Sequence, residues 1–191
     1  LKDLVSYLQG KKSSIPEKSV VITADDGRLS VYKYMLPIVR KYNVPVTLFV
    51  YPSSISNADY AMTWNQLREL QATGLFDIQG HTYWHPNFKQ EKKRLSASEY
   101  EKFVHTQLVT SKNILDKKLD IDVSLIAWPH GIFDPYLEQQ AAKAGYTMAF
   151  SIDGKPASRG EESITQPRYM IVEPMSMKSF SAIVNGRKSN N

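Results

Sequence analysis

Two acidic residues stand side by side at Asp25-Asp26, ahead of Gly27, and two histidines stand four apart in His81-Thr82-Tyr83-Trp84-His85. A third histidine lies in Trp128-Pro129-His130-Gly131. The chain holds only four, and the fourth, His105, falls in a charged helical stretch. Imidazoles at i and i+4 share one face of a helical turn and can hold one metal ion. One carboxylate of the acidic pair could complete a three-ligand set that leaves positions open for water or substrate. The other carboxylate, kept ionised beside a divalent cation, could serve as a general base. Such a site suits metal-assisted hydrolysis of an amide or ester. Each motif alone also has an ordinary structural reading. The acidic pair reads as a strand-end turn with two solvated carboxylates, and the histidine pair as one core and one surface residue.

Composition removes several competing chemistries. There are no cysteines, which excludes thiolate zinc sites, iron–sulfur clusters, disulfide scaffolds and a cysteine nucleophile. No Gly-rich phosphate loop and no G-x-S-x-G occurs, so nucleotide chemistry and a serine esterase have no support. At 191 residues, 42% hydrophobic and 23% charged, the chain reads as one ordinary globular domain. A net charge of +5 permits acidic partners without demanding them. The basic run 89–118 reads as a solvated helix face with its approach loop, and no nucleic-acid motif accompanies it. No apolar run approaches the roughly 18 residues of a membrane-spanning helix. The chain begins at Leu1 rather than Met, which reads as a trimmed or mature product.

Periodicity indicates the elements that must position these residues. Apolar β-branched runs predict strands over 19–23, 44–51, 76–80, 123–128, 146–152 and 169–172. Helical stripes lie over 30–42, 64–73 after Thr63 as N-cap, 96–118, 135–144 and 176–184. The longest opens on Ser96-Ala97-Ser98-Glu99, a capping-box pattern. Strands alternating with helices argue for an α/β fold with a largely parallel sheet or an incomplete barrel. Sites in such folds gather at the carboxyl ends of strands. The acidic pair, the histidine pair and the Trp128–His130 segment all fall at such ends.

Taken together, these motifs resemble the polysaccharide deacetylase family, the NodB-homology carbohydrate esterases. The family's T-F-D-D-G appears as Thr23-Ala24-Asp25-Asp26-Gly27, with Ala in place of Phe. Its H-[ST]-x-x-H is matched fully by His81-Thr82-Tyr83-Trp84-His85. Its R-x-P-[YF] is replaced by Ala127-Trp128-Pro129-His130, a pattern similar to the branch acting on poly-N-acetylglucosamine. The resemblance covers roughly 18–184, with 1–17 as a lead-in and 185–191 as a disordered tail. It implies an α/β distorted barrel with fewer than eight regular strands. It implies a divalent metal, zinc foremost, held by Asp26, His81 and His85, and Asp25 as the base that activates water. The backbone N–H of His130 would stabilise the oxyanion.

The sequence departs from the family pattern in three ways that matter. The arginine that orients the base is replaced by Ala127, and Arg168 is the candidate to take its place from elsewhere, against the reading of a surface arginine. No histidine follows His130, so His130 is also the only histidine candidate for the acid that protonates the leaving amine. The family's late motif with Asp and Trp has no clear counterpart; Ser151-Ile152-Asp153-Gly154 is the candidate remnant, against the reading of Asp153 as a solvated loop residue. Among Tyr51, Tyr83, Trp84, Trp128 and Phe133, the residues expected to meet sugar rings are Trp84 and Trp128, with Tyr83 beside them. The expected function is removal of N-acetyl groups from a hexosamine-containing glycan outside the cytoplasm. O-acetyl ester hydrolysis, cleavage of another non-peptide C–N bond, and glycan binding without catalysis stand as alternatives.

Overall fold

A computed structural model describes residues 1–160 and 164–186. Its sheet has six strands: β1 (Ile22–Asp25), β2 (Val46–Val50), β3 (Phe76–Gly80), β4 (Leu125–Ala127), β5 (Met148–Phe150) and β6 (Thr165–Gln166). They lie side by side in chain order and every neighbouring pair is parallel. Parallel neighbours need a crossover between them, and helices supply most of it. The sheet curls into an open half-barrel, the α/β distorted barrel that the motifs implied.

Alternation along the strands sorts side chains into two layers. Val46, Leu48, Val50, Ile78 and Ile126 face outward into the main core, beneath the helices. Phe49, Leu125, Ala127, Met148 and Phe150 face inward and form a smaller second core. The first residues of the chain join that inner layer. They form helix α1 (Lys2–Leu8), whose Val5 is buried against it. The β3–β4 junction has a single ladder pair, Gly80 with Ile126. Gln79 reinforces it, because its side-chain oxygen accepts from the backbone N–H groups of Ser124 and Leu125.

The helices largely follow their caps. Helix α2 (Leu36–Tyr42) continues a π turn over Val31–Met35, and Pro37 sits in its first turn, where a missing N–H is harmless. Helix α3 (Trp64–Ala72) starts on a Thr63–Gln66 capping box. A short helix not anticipated from periodicity, α4 (Phe88–Arg94), is capped by Asn87. The long helix expected over 96–118 is divided into α5 (Ala97–His105), a π segment over Thr106–Thr110, and α6 (Ser111–Leu119). The Ser96–Glu99 capping box is present. Helix α7 (Pro135–Lys143) is capped by Asp134 and α8 (Met177–Val184) by Ser176.

Two strand placements differ from expectation, both because a strand exists only where a neighbour pairs with it. The first begins at Ile22 rather than residue 19, since β2 offers its first partner there through Val46. The last lies at Thr165–Gln166, paired with Ala149 and Phe150, and not at 169–172, where Met170, Ile171 and Val172 are exposed. Of the expected disordered tail, Asn185 and Gly186 follow α8 as an exposed turn, and 187–191 lie outside the described residues.

Candidate metal and catalytic site

The acidic pair ends β1, and a tight turn splits the two carboxylates. Asp26 has φ 73 and Gly27 φ 72, so the chain turns sharply just past the strand. A side chain at Gly27 would meet Ile55 Cδ1 at 2.9 Å. This packing holds the turn against the loop after β2. Asp25, on the inward face of the sheet, and Asp26, beyond it, therefore reach one site from different directions.

His81 follows β3 and is 2% exposed. Its Nδ1 lies 2.7 Å from the carbonyl of Ala127 at the end of β4. A carbonyl only accepts, so Nδ1 carries the proton and Nε2 keeps a free lone pair. That Nε2 is 3.6 Å from Asp26 Oδ1, and His85 Nε2 is 3.7 Å from the same oxygen. The three donor atoms lie within 4.8 Å of one another. A tetrahedral ion with ligand bonds of about 2.0–2.1 Å would set its donors about 3.3–3.4 Å apart. The two measured separations from Asp26 are close to that spacing. The other Asp26 oxygen accepts from Arg28 Nε at 3.1 Å, leaving Oδ1 to face the histidines.

Electrostatics suit the same use. Burial is the main force lowering the His81 pKa. Burial, then the neighbouring His81, lowers that of His85 to about 4. Both rings are neutral near pH 7, the state a metal ligand requires. Asp25 feels opposing forces. Burial pushes its pKa up, but the Arg168 hydrogen bond, with the guanidinium charge behind it, outweighs burial and holds the carboxyl below its usual value.

Arg168 is not a free surface residue. It follows β6, crosses the open seam of the sheet, and grips β1. Nη1 and Nη2 donate to the two oxygens of Asp25 at 2.9 and 2.8 Å, and Nη1 also donates to Thr23 Oγ1 at 2.9 Å. Nε donates to the Ser151 carbonyl at 3.2 Å, and the guanidinium lies over the Phe49 ring. This fork is the geometry that fixes a carboxylate in both position and rotation.

His130 follows β4 and packs its ring against that of His85. It adopts φ 57, is exposed, and its ring centroid is 4.6 Å from that of His85. His105 lies exposed at the end of α5, away from this group. A family model for polysaccharide deacetylases matches residues 12–149, most of the chain. The chain belongs to the polysaccharide deacetylase family. It is 26% identical over 175 residues to a poly-β-1,6-N-acetyl-D-glucosamine N-deacetylase of Staphylococcus aureus (strain MRSA252). That alignment takes in 90% of this chain and 60% of the relative, so the chain spans about three fifths of that protein's length. The corresponding Staphylococcus epidermidis protein is 23% identical over the same span. Among solved structures, the chain resembles the Streptococcus pyogenes deacetylase PplD, with TM-score 0.81, 26% identity, and coverage of 94% of this chain and 76% of that one. It also resembles IcaB from Ammonifex degensii, with TM-score 0.81, 25% identity, and coverage of 96% and 79%.

The aromatic residues of this deacetylase-family chain separate by exposure. Trp84 is 45% exposed and Tyr83 half-buried at the rim. Trp128 is 1% exposed, and its indole N–H donates to Thr165 Oγ1 inside the core. The expectation that Trp128 meets a sugar ring is therefore corrected. It directly follows β4, where its ring points outward beneath the helices. Asp153 is exposed, as expected, and accepts from Ser151 Oγ. Sequence reasoning passed over Arg28 and Gln107 as parts of the site, and weighed Tyr51 only as an aromatic that could meet a sugar ring. Tyr51 packs its buried ring with centroid 5.7 Å from that of His85 and bonds Tyr60 at 2.7 Å through their hydroxyls. No sequence pattern marks Arg28 or Gln107. Both are identified only by what they touch.

Proposed function

We propose that this chain removes N-acetyl groups from a hexosamine-containing polysaccharide, with poly-β-1,6-N-acetylglucosamine as the foremost candidate. The carrying observation is the convergence of Asp26 Oδ1 with the Nε2 atoms of His81 and His85, beside a carboxylate gripped at both oxygens by Arg168. Asp26, His81 and His85 would hold a divalent cation, zinc foremost, although cobalt and nickel suit the same donors. When bound, the cation supplies positive charge that polarises the acetamide carbonyl and acidifies nearby water.

Asp25 acts as the general base. Its lowered pKa keeps it ionised at neutral pH, and Arg168 aims the carboxylate rather than neutralising it chemically. Asp25 takes a proton from water as the water oxygen bonds to the acetamide carbon. The His130 backbone N–H donates to the oxygen that gains negative charge. The C–N bond then breaks, and the amine leaves with a proton. His130, with an exposed imidazole beside His85, is the side-chain candidate to deliver it, and protonated Asp25 is the other. Acetate and a free amine result. Trp84 and Tyr83 form the rim on which a pyranose ring would stack. A polymer of this kind places the reaction outside the cytoplasm. Among the described residues, no helix is long and apolar enough to cross a membrane.

The test is acetate release from N-acetylglucosamine oligomers, before and after chelation and metal re-addition. Release that stops on chelation and returns with zinc is expected. Glycan binding with no acetate released under any metal would overturn the assignment, and release confined to acetylxylan would reassign the substrate.

A further inference from the structure

The loop that carries both histidines is an unfavourable piece of backbone. Thr82 has φ 64 and His85 φ 62, and neither is glycine. Non-glycine residues in this region need surrounding contacts to hold them there. The contacts come from the π segment and the start of α6. Gln107, fully buried at 0% exposed, accepts through Oε1 from the backbone N–H of Tyr83 at 3.0 Å and of Trp84 at 3.2 Å. Ser111, equally buried, donates through Oγ to the carbonyl of Thr82 at 2.7 Å. Three consecutive residues between the two ligands are thus tied to one helix.

We infer that Gln107, presented by the π segment Thr106–Thr110, is a positioning residue that holds the His81–His85 loop ready to bind metal. This rests on the reading of Asp26, His81 and His85 as a cation site. Two facts favour positioning over simple packing. The amide orientation is set by its partners, because two N–H donors meet at one atom and only the oxygen can accept both. In addition, Gln107 Nε2 is buried without a hydrogen-bond partner. A polar side chain that leaves one group unsatisfied destabilises a core, and an apolar residue of the same length would avoid that cost. What the glutamine supplies instead is an acceptor for the loop. The π bulge supports the same reading. An extra residue in the turn shifts the register of a helix, and such bulges concentrate at functional sites. Here the bulge falls on the segment that faces the histidine loop.

The test compares three proteins in metal titrations, with Zn²⁺ in competition with a chromophoric chelator and with Co²⁺ followed by its visible spectrum. Gln107→Met keeps length and removes the acceptor. Its affinity for Zn²⁺ is expected to fall on the order of 10–100-fold, the usual effect of losing a group that orients metal ligands. Leu108→Ala weakens the same segment without touching the loop. It should lower the melting temperature while leaving affinity within about 3-fold of the parent, well short of the expected Gln107 loss. Parental affinity in Gln107→Met, or equal loss in both variants, would overturn the inference. Amide hydrogen exchange on the parent protein without metal gives a reading that does not depend on a variant folding. Tyr83 and Trp84 should be protected, and fast exchange at both would also overturn it. Failure of the parent to bind Zn²⁺ or Co²⁺ would refute the cation site instead, while protection of the two amides would still report on the clamp.

Discussion

Replacing Arg168 with Met removes the fork on Asp25 and, with the guanidinium, its contact over the Phe49 ring, while keeping an apolar stem. Four hydrogen bonds disappear: two to Asp25, one to Thr23 and one to Ser151. Breaking a fully buried ion pair costs about 3–5 kcal/mol. The side chains of Arg168 and Asp25 are 14% and 30% exposed, so water can resolvate the orphaned carboxylate in part. We therefore expect about 2–3 kcal/mol of lost stability, below the fully buried range. For a chain of this size that lowers the melting temperature by roughly 5–10 °C. The effect on activity should be larger. Asp25 loses its fixed rotation, and kcat/KM should fall about 10²–10³-fold, or about 3–4 kcal/mol in the barrier. The pH profile separates this from simple destabilisation. Burial already pushes the Asp25 pKa up, and Arg168 is the chief opposing influence. Without it the acid limb of kcat/KM must move to higher pH. Arg168→Lys, with one charge and no fork, should fall between the two. Acetate release measured across pH, together with thermal unfolding, tests each point. A Met variant with parental kcat/KM and an unmoved acid limb would refute the positioning of the base by Arg168.

Three further outcomes follow from the same geometry. Asp25→Asn should keep stoichiometric metal and lose at least about 10³-fold in turnover, because a carboxamide cannot accept the proton; near-normal acetate release would remove Asp25 from its role. Trp84→Ala should raise KM on oligomers with little change in melting temperature, whereas Trp128→Phe should cost about 0.5–1.5 kcal/mol through its lost hydrogen bond and leave KM alone; the reverse pattern would put the glycan elsewhere. The metal-free protein should lose stability as pH falls from about 6.5 toward about 4. The His85 pKa is lowered in the folded state, so the unfolded chain takes up the proton first, and the loss begins at the unfolded value and continues to the folded one. His81 acts in the same direction. Urea unfolding across that window checks this, and a flat profile would contradict the buried, neutral histidines.

The acidic and histidine motifs were readable because each is local. Asp25-Asp26-Gly27 and His81 to His85 are short runs at the ends of apolar strands, and period-2 and period-3.6 patterns located most of those strands and helices. Where the reading failed, non-local partners decided. Residues 169–172 have strand composition but, among the described residues, no neighbouring ladder, while Thr165–Gln166 finds one beside β5. Trp128 looks like a rim aromatic by its position after a strand, yet alternation turns it outward into the core. Helix α1 could not be placed against the inner layer without knowing that the layer exists.

By itself, the chain's composition already confined any metal ion to imidazole and carboxylate. With no cysteine and four histidines, few ligand sets were available. The order of its motifs was enough to place the chain in its family. Only the tertiary structure decided how Asp25 is held. Arg168 stands 143 residues from Asp25, and no spacing rule connects them. They meet because the half-barrel curls until the chain after its last strand faces its first, and the two oxygens of one carboxylate then meet the two nitrogens of one guanidinium. The same holds for Gln107, whose contacts with Tyr83 and Trp84 come from helix packing against a loop. Ligand identity is a property of residue type and local order. Ligand orientation is a property of packing, and it exists only once the chain has folded.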